Sequence, residues 1–456
     1  MTMSAEPAAG DGAAPPDPLA VMRSRNYLAL LLMVAALGVP VSAAAFGFLA
    51  LVQELQSLTY KDLPRALGLH GTPLWWPLPL LAVAGLLTAL TIRHLPGTGG
   101  HKPAEGRLGG GPAAARDLPG IALAALASLG LGAALGPEAP LIALGGGLAV
   151  YAARLVRPGL APSAAPLVAA AGSFAAVSAL LGSPLLGAFL LMEASGVAGT
   201  MLSLVLVPGL LASGVGALIF TGLGSWTGLG TYSLALPHVP HATQPTVAEF
   251  GWAVALGVAA AAVGTGIRWL SLRVQGWVER AGRRRTAATV LAALAVGVLA
   301  LVYAWGTGRD ASQVLYSGQN ALGPLIAQSA GYSVPVLLAL VLCKALAYSA
   351  SLGALRGGPI FPAMFVGATG GLALSHLPGL TVTAGFAMGI GAMSAAMLRL
   401  PMTSVLLATL LLGREGVTVM PLVIVAVVVS YVLVLRPRGR SVRPPEAAGG
   451  VKGSGA

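Results

Sequence analysis

Glu138 lies in LGPEAPLIALGGGLAV (135–150), between Pro137 and the pair Ala139-Pro140, and no further charge follows until Arg154. A carboxylate in so apolar a stretch can exchange a proton or stand in for an anion, and an ionisable group inside a membrane segment marks a functional site by default. The plainer reading is an N-terminal glutamate that stabilises its own helix dipole. Glu193 closes the apolar segment GSPLLGAFLLME (182–193). The two glutamates could in principle serve as acid and base of a polytopic membrane enzyme. Such an enzyme needs a nucleophile or a metal beside them, and no histidine or cysteine is near either in sequence. The six histidines show no H-E-x-x-H spacing, and His70, His94, His238 and His241 read as loop residues. Cys343 is the single cysteine, which excludes an internal disulfide and a thiolate cluster and reads as a buried thiol. No catalytic residue, metal ligand or cofactor is assigned.

The segments that carry these residues read as membrane. Of 456 residues, 56% are hydrophobic and 9% charged, with a mean hydropathy of +0.84; soluble domains run near a quarter charged. Apolar runs cover about 28–53, 74–92, 118–135, 164–192, 201–222, 248–272, 286–305, 332–352, 360–398 and 401–435. A simple span takes roughly 20 apolar residues, and several of these runs are too short, or too interrupted by Gly and Pro, to be one. Broken helices of that kind are tolerated where they line a protein-walled cavity. Residues 1–26 read as a disordered cytoplasmic tail, 27–435 as the transmembrane domain, in halves of about 27–225 and 246–435, and 436–456 as a short basic tail. Positive charge gathers at Arg23/Arg25, over Arg268–Arg285 and at Arg436, Arg438, Arg440 and Arg443. The positive-inside rule places all three in the cytoplasm of a multi-pass cell-membrane protein. The net charge of +12 is therefore a topology signal, and no nucleic-acid partner is expected.

The chain repeats itself. GPEAPLIALG (136–145) and GPIFPAMFVG (358–367) are both G-P-x-x-P-x-x-x-x-G, and each is followed by a small-residue helix, a proline and an apolar run: AAVSALLGSPLLGAFLL (175–191) and GAMSAAMLRLPMTSVLL (391–407). Gly136 to Pro184 is 48 residues and Gly358 to Pro401 is 43. Matched Gly/Pro interruptions in two halves point to a transporter binding site. Gly-Pro turns the chain sharply and starts a helix inside the membrane, with free N–H groups and the positive dipole end exposed. Each start attracts an anion without placing a full positive charge in the bilayer. Glu138 would occupy the anion's place and vacate it when protonated or displaced.

These residues resemble the CLC family of chloride channels and chloride/proton exchangers, across roughly 28–435. GPEAP resembles the family's G-[K/R]-E-G-P, GGPIFP (357–362) its G-G-x-F-x-P, and GTGGH (97–101) its G-S-G-x-P loop. GSPLLGAFLLME, LPMTSVLL (400–407) and CKALAYSASLGALRGG (343–358) resemble the segments that accompany them. The resemblance implies an all-α membrane protein with an inverted repeat of many tilted and broken helices, and a homodimer with one pore per subunit. It implies chloride as the transported ligand, with Glu138 as the gate. Thr98 and the helix starts at Gly136–Pro140 and Gly358–Pro362, including Ala139, Ile360 and Phe361, would surround the anion.

Several positions depart from the pattern. Pro137 and Pro359 have no N–H, so each removes one possible anion donor. The family's phenylalanine position falls on Ile360, with Phe361 one residue later, and the loop serine is Thr98. The usual pore tyrosine falls near Val442 and is missing, and Tyr431 reads as a packing residue. The exchangers' inner proton-path glutamate falls on Ala194; Glu193, one residue earlier, either serves that path or is a structural carboxylate at a helix end or on the dimer side. Lys344 either raises the potential along the anion's route or snorkels. The expected activity is chloride transport as a channel or an antiporter, with fluoride or nitrate as the alternative cargo.

Overall fold

The computed structural model describes residues 22–106, 113–160, 164–196, 201–228 and 235–436. The two tails assigned from sequence therefore fall almost wholly outside the described residues, as does Val442.

The chain is helical throughout, and no extended strand occurs among the described residues. Helix α1 (Arg25–Ser57) starts where the Ser24 hydroxyl accepts the Tyr27 amide, and it runs on through a π-turn at Leu58–Asp62 into Leu63–Ala66. Then come α2 (Pro77–His94), α3 (Leu118–Gly130), α4 (Glu138–Val156), α5 (Ala165–Leu180), α6 (Pro184–Ser195) and α7 (Met201–Thr227). The second series is α8 (Val247–Arg280), α9 (Arg285–Thr307), α10 (Gln319–Ala327), α11 (Val334–Ala354), α12 (Ile360–Leu374), α13 (Val382–Leu398), α14 (Pro401–Leu411) and α15 (Arg414–Leu435). Among the described residues, eight helices are long and apolar enough to cross a membrane and five apolar ones are shorter.

The apolar runs anticipated most of these helices, and the prolines expected to interrupt them at 184 and 401 each open a new helix. The run 164–192 divides at Ser183, which leaves the helical conformation and caps α6 with its hydroxyl on the Leu186 amide. The runs 360–398 and 401–435 each divide into two helices as well. The run 118–135 ends early, at Gly130. Gly132 turns the chain there with φ +108, against the Tyr60 hydroxyl, where a Cβ would lie 2.5 Å from the oxygen. His94, read as a loop residue, sits in the last turn of α2. The nine-residue α10 has no counterpart in the sequence reading.

Two packing devices hold the interrupted helices. The closing glycine of each G-P-x-x-P-x-x-x-x-G motif lets a half-helix lie directly on the next helix. A Cβ on Gly145 would come 2.6 Å from the Gly172 carbonyl on α5, and one on Gly367 would run into the Gly389 carbonyl on α13. The second device is carboxylate capping: buried Glu249 closes a capping box with Thr246 at the start of α8 and also accepts the Thr381 hydroxyl (2.7 Å) ahead of α13. Capping satisfies amides that have no intrahelical acceptor.

Candidate functional site

The two motifs meet. Gly136 and Gly358 form an antiparallel bridge: the Gly136 amide donates to the Gly358 carbonyl (2.9 Å), and the Gly358 amide donates to the Gly136 carbonyl (2.5 Å). Such a reciprocal pair has a local two-fold axis, so the chains cross there in opposite directions and α4 and α12 leave the crossing oppositely. That is the signature of an inverted repeat. A Cβ at Gly358 would displace the Glu138 carboxylate from its place.

Each proline is the N-cap, one residue before its helix, rather than the first helical residue. Pro140 and Pro362 then occupy the third helical position. A helix start normally offers several unpaired amides. Bracketed by two prolines, each G-P-x-x-P start keeps only the two between them: Glu138 and Ala139 on α4, Ile360 and Phe361 on α12. The motif thus narrows each helix start to a pair of donors.

Glu138 is fully buried and reaches across the crossing. Its Oε1 accepts the Phe361 amide at 2.9 Å, and the amides of Ile360 and of Glu138 itself also face the carboxylate. Oε2 has no hydrogen-bond partner among the described residues and lies against Gly358. The carboxylate of the first repeat therefore sits on the helix start of the second. An unsatisfied buried oxygen is rare.

Of the residues singled out from sequence, Gly136, Glu138, Gly358, Ile360 and Phe361 come together at this crossing. Ala139 joins them, its amide nitrogen 3.0 Å from where a Gly358 Cβ would stand. The amides of Gly136 and Gly358 are spent on each other. Thr98 is exposed, and its carbonyl accepts both Nε (3.3 Å) and Nη2 (3.2 Å) of Arg356, two residues before Gly358. Glu193 lies elsewhere, at the start of α14, where Oε1 accepts the Met402 amide (3.0 Å) and Oε2 accepts the Thr403 amide (2.8 Å) and hydroxyl (2.6 Å). Lys344 does not snorkel. It is fully buried, donating to the carbonyls of Leu315 (2.6 Å) and Tyr316 (2.8 Å), with the Phe365 ring 5.1 Å away.

Two neighbours escaped the sequence reading. Tyr348 is fully buried, and its hydroxyl donates to the Pro359 carbonyl (2.7 Å), fixing the cap of α12. It lies one helical turn after Lys344, and that i, i+4 spacing on a basic, small-residue helix was the available signal. Arg356, directly before the Gly-Gly pair, is the other.

Paired half-helices crossing inside a bundle of membrane-length helices, with an ionisable carboxylate between them, define a polytopic membrane transport protein. A model of the family described as voltage gated chloride channel matches residues 84–435. The chain belongs to that family, the CLC proteins, whose members are transporters and channels, not enzymes. It is 28% identical over 359 residues to YfeO of Escherichia coli O139:H28, named as an ion-transport protein, covering 78% of this chain and 81% of that one. Among solved structures it is similar to a slow cyanobacterial Cl⁻/H⁺ antiporter (TM-score 0.71, 18% identity, 89% and 94% of the two chains). It is also similar to a CLC-type fluoride/proton antiporter (TM-score 0.67, 20% identity, 89% and 95%). The all-α, inverted-repeat membrane fold expected from sequence is the fold observed.

Proposed function

We propose that this chain carries chloride across the cell membrane through the crossing of α4 and α12, gated by Glu138, with proton movement coupled to the anion. The observation that carries the reading is the Glu138 carboxylate on the Phe361 amide, a negative group seated on a helix start of the opposite repeat. A half-helix N-terminus attracts any small anion, so a free anion and the carboxylate compete for one place. Protonation removes the carboxylate's charge and with it most of its hold on the amides. Acidification thus opens the site, and exit is assured because neither occupant is bound by a full positive charge there.

In this reading the two halves span about 27–225 and 246–435, and the Arg268–Arg285 end faces the cytoplasm. Two copies pair through apolar faces that include exposed Leu185, Leu218, Met402 and Val417. Glu193 acts as a helix cap and not on the proton path. Antiport is favoured over a channel because both structural neighbours named above are proton antiporters. Fluoride is the second reading, favoured by the likeness to the fluoride/proton antiporter.

The test is anion efflux from proteoliposomes recorded together with external pH. The expected result is chloride efflux with proton uptake in fixed proportion, faster as pH falls. Glu138→Gln should abolish the proton movement and the pH dependence while anion flux persists. Chloride flux without protons in the native protein would make it a channel, and flux of fluoride alone would change the cargo. Unaltered proton coupling in Glu138→Gln would refute the gate.

A further inference from the structure

Three arginines line one groove. Arg268 from α8, Arg399 at the end of α13 and Arg436 at the end of α15 border a cavity of about 460 Å³. Among the described residues none of them pairs with a carboxylate. Glu105, whose carbonyl accepts Nη2 of half-buried Arg268 (3.3 Å), turns its own carboxylate to Lys102 (3.7 Å). Arg399 and Arg436 are exposed, and Arg268 and Arg399 are close enough to repel each other. Like charges gathered without a counter-charge are held at a cost. Arg399 adds a second cost. It is the C-cap of α13 in the left-handed conformation, at φ 60, where glycine is the usual residue. The chain places a long cation there in spite of the strain.

The groove has the depth and polarity of one membrane leaflet. Away from the arginines its wall is apolar, with Val258, Ala262 and Leu433. Val258 precedes Arg268 by ten residues, about 15 Å along a helix, which is half of a hydrocarbon core of about 30 Å. Trp269, next to Arg268, is 52% exposed, and an indole on the surface of a spanning helix sits at headgroup level. The arginines therefore lie where lipid phosphates lie, and the apolar wall lies where acyl chains lie. The chain's own continuation does not suit the groove. Residues 437–456 carry Arg438, Arg440, Arg443 and Lys452 against the single acid Glu446, so the arginines repel it. A soluble anion would meet the arginines but leave the apolar wall uncovered.

We propose that this groove binds an anionic phospholipid, its phosphate held by Arg268, Arg399 and Arg436 and one acyl chain lying along Val258, Ala262 and Leu433. Guanidinium groups take a phosphate by paired, charge-assisted hydrogen bonds, and basic pockets between spanning helices suit anionic headgroups. The bound lipid ties the ends of α13 and α15 to α8. Binding does not depend on which anion the chain carries; only the leaflet, the cytoplasmic one, follows from the orientation given above.

The experiment is titration of the purified full chain, in an uncharged detergent, with dioleoyl phosphatidylglycerol, dioleoyl phosphatidylcholine and inorganic phosphate. Bound lipid is counted by native mass spectrometry, and the melting temperature is followed in parallel. The expected result is that phosphatidylglycerol alone binds and raises the melting temperature. Arg399→Gln and Arg436→Gln should each weaken its binding roughly fivefold. Arg283→Gln, which removes one exposed charge near the end of α8 but outside the groove, should bind as the native chain does. Ala262→Phe, at an exposed position of the apolar wall, should also weaken binding by blocking the acyl chain. Melts without lipid check that each variant is folded. Equal binding of the two lipids, or an equal loss in Arg283→Gln, would reduce the effect to general attraction and overturn the site. Full affinity in Ala262→Phe, or equal stabilisation by inorganic phosphate, would make the arginines a site for a free phosphate and overturn the lipid. A chain that transports anions but binds no phosphatidylglycerol would overturn this site and leave the transport reading standing.

Discussion

Replacing Glu193 separates a helix cap from a proton carrier. Its carboxylate accepts the Met402 amide, the Thr403 amide and the Thr403 hydroxyl at 3.0, 2.8 and 2.6 Å. Leu400, the residue at the N-cap of α14, supplies no side-chain acceptor of its own. Loss of an ordinary N-cap costs about 1 kcal/mol. Here two amides and a hydroxyl lose a charged acceptor, and the favourable charge at the helix dipole is lost with them. Because the carboxylate is only half-buried, water recovers part of this, and Glu193→Ala should cost about 2–3 kcal/mol. Glu193→Gln keeps one acceptor oxygen and should cost about 1 kcal/mol. The assay is thermal unfolding of the purified protein, paired with chloride and proton flux. A graded loss of stability is expected, alanine below glutamine below native, with the proton-to-chloride ratio of the folded variants unchanged. Native stability in Glu193→Ala, or loss of proton movement in a fully stable Glu193→Gln, would refute the cap.

Gly367→Ala should destabilise the protein by about 1–3 kcal/mol, the usual cost of overpacking, because its Cβ would meet the Gly389 carbonyl and the Met393 Cβ. Gly370→Ala, on the same helix with open space around it, should be neutral or stabilising by up to about 1 kcal/mol in the same melt. Tyr348→Phe removes one hydrogen bond to Pro359 and should cost about 1 kcal/mol while leaving proton coupling intact; loss of coupling would mean that the hydroxyl serves the Glu138 carboxylate directly.

The helices were legible because lipid enforces long apolar runs, and the crossing was legible because it is built twice. The two copies of G-P-x-x-P announced the paired helix starts, and Glu138 stood out as a lone charge between prolines. Two things were not legible. The partner of Glu138 is the Phe361 amide, 223 residues away, and sequence spacing does not tell a glutamate capping its own helix from one reaching the opposite half. The second was the loop Gly97–Gly100. It was read only by its likeness to a family loop, and the fork from Arg356 that holds Thr98 by its carbonyl joins residues 258 apart. Glu193 was left between two readings for a related reason: on sequence it was judged against a family position on its own helix, whereas its hydrogen-bond partners are on α14.

The most direct test of the central claim is to locate an anion in Glu138→Gln crystals soaked in bromide, using the anomalous scattering of the halide. If the carboxylate occupies the anion's place, bromide will lie within hydrogen-bond distance of the Phe361 amide, at the spot Oε1 holds in the native chain, and that peak will be weaker in native crystals. Bromide bound elsewhere along the path, with the Phe361 amide left empty in the variant, would contradict it.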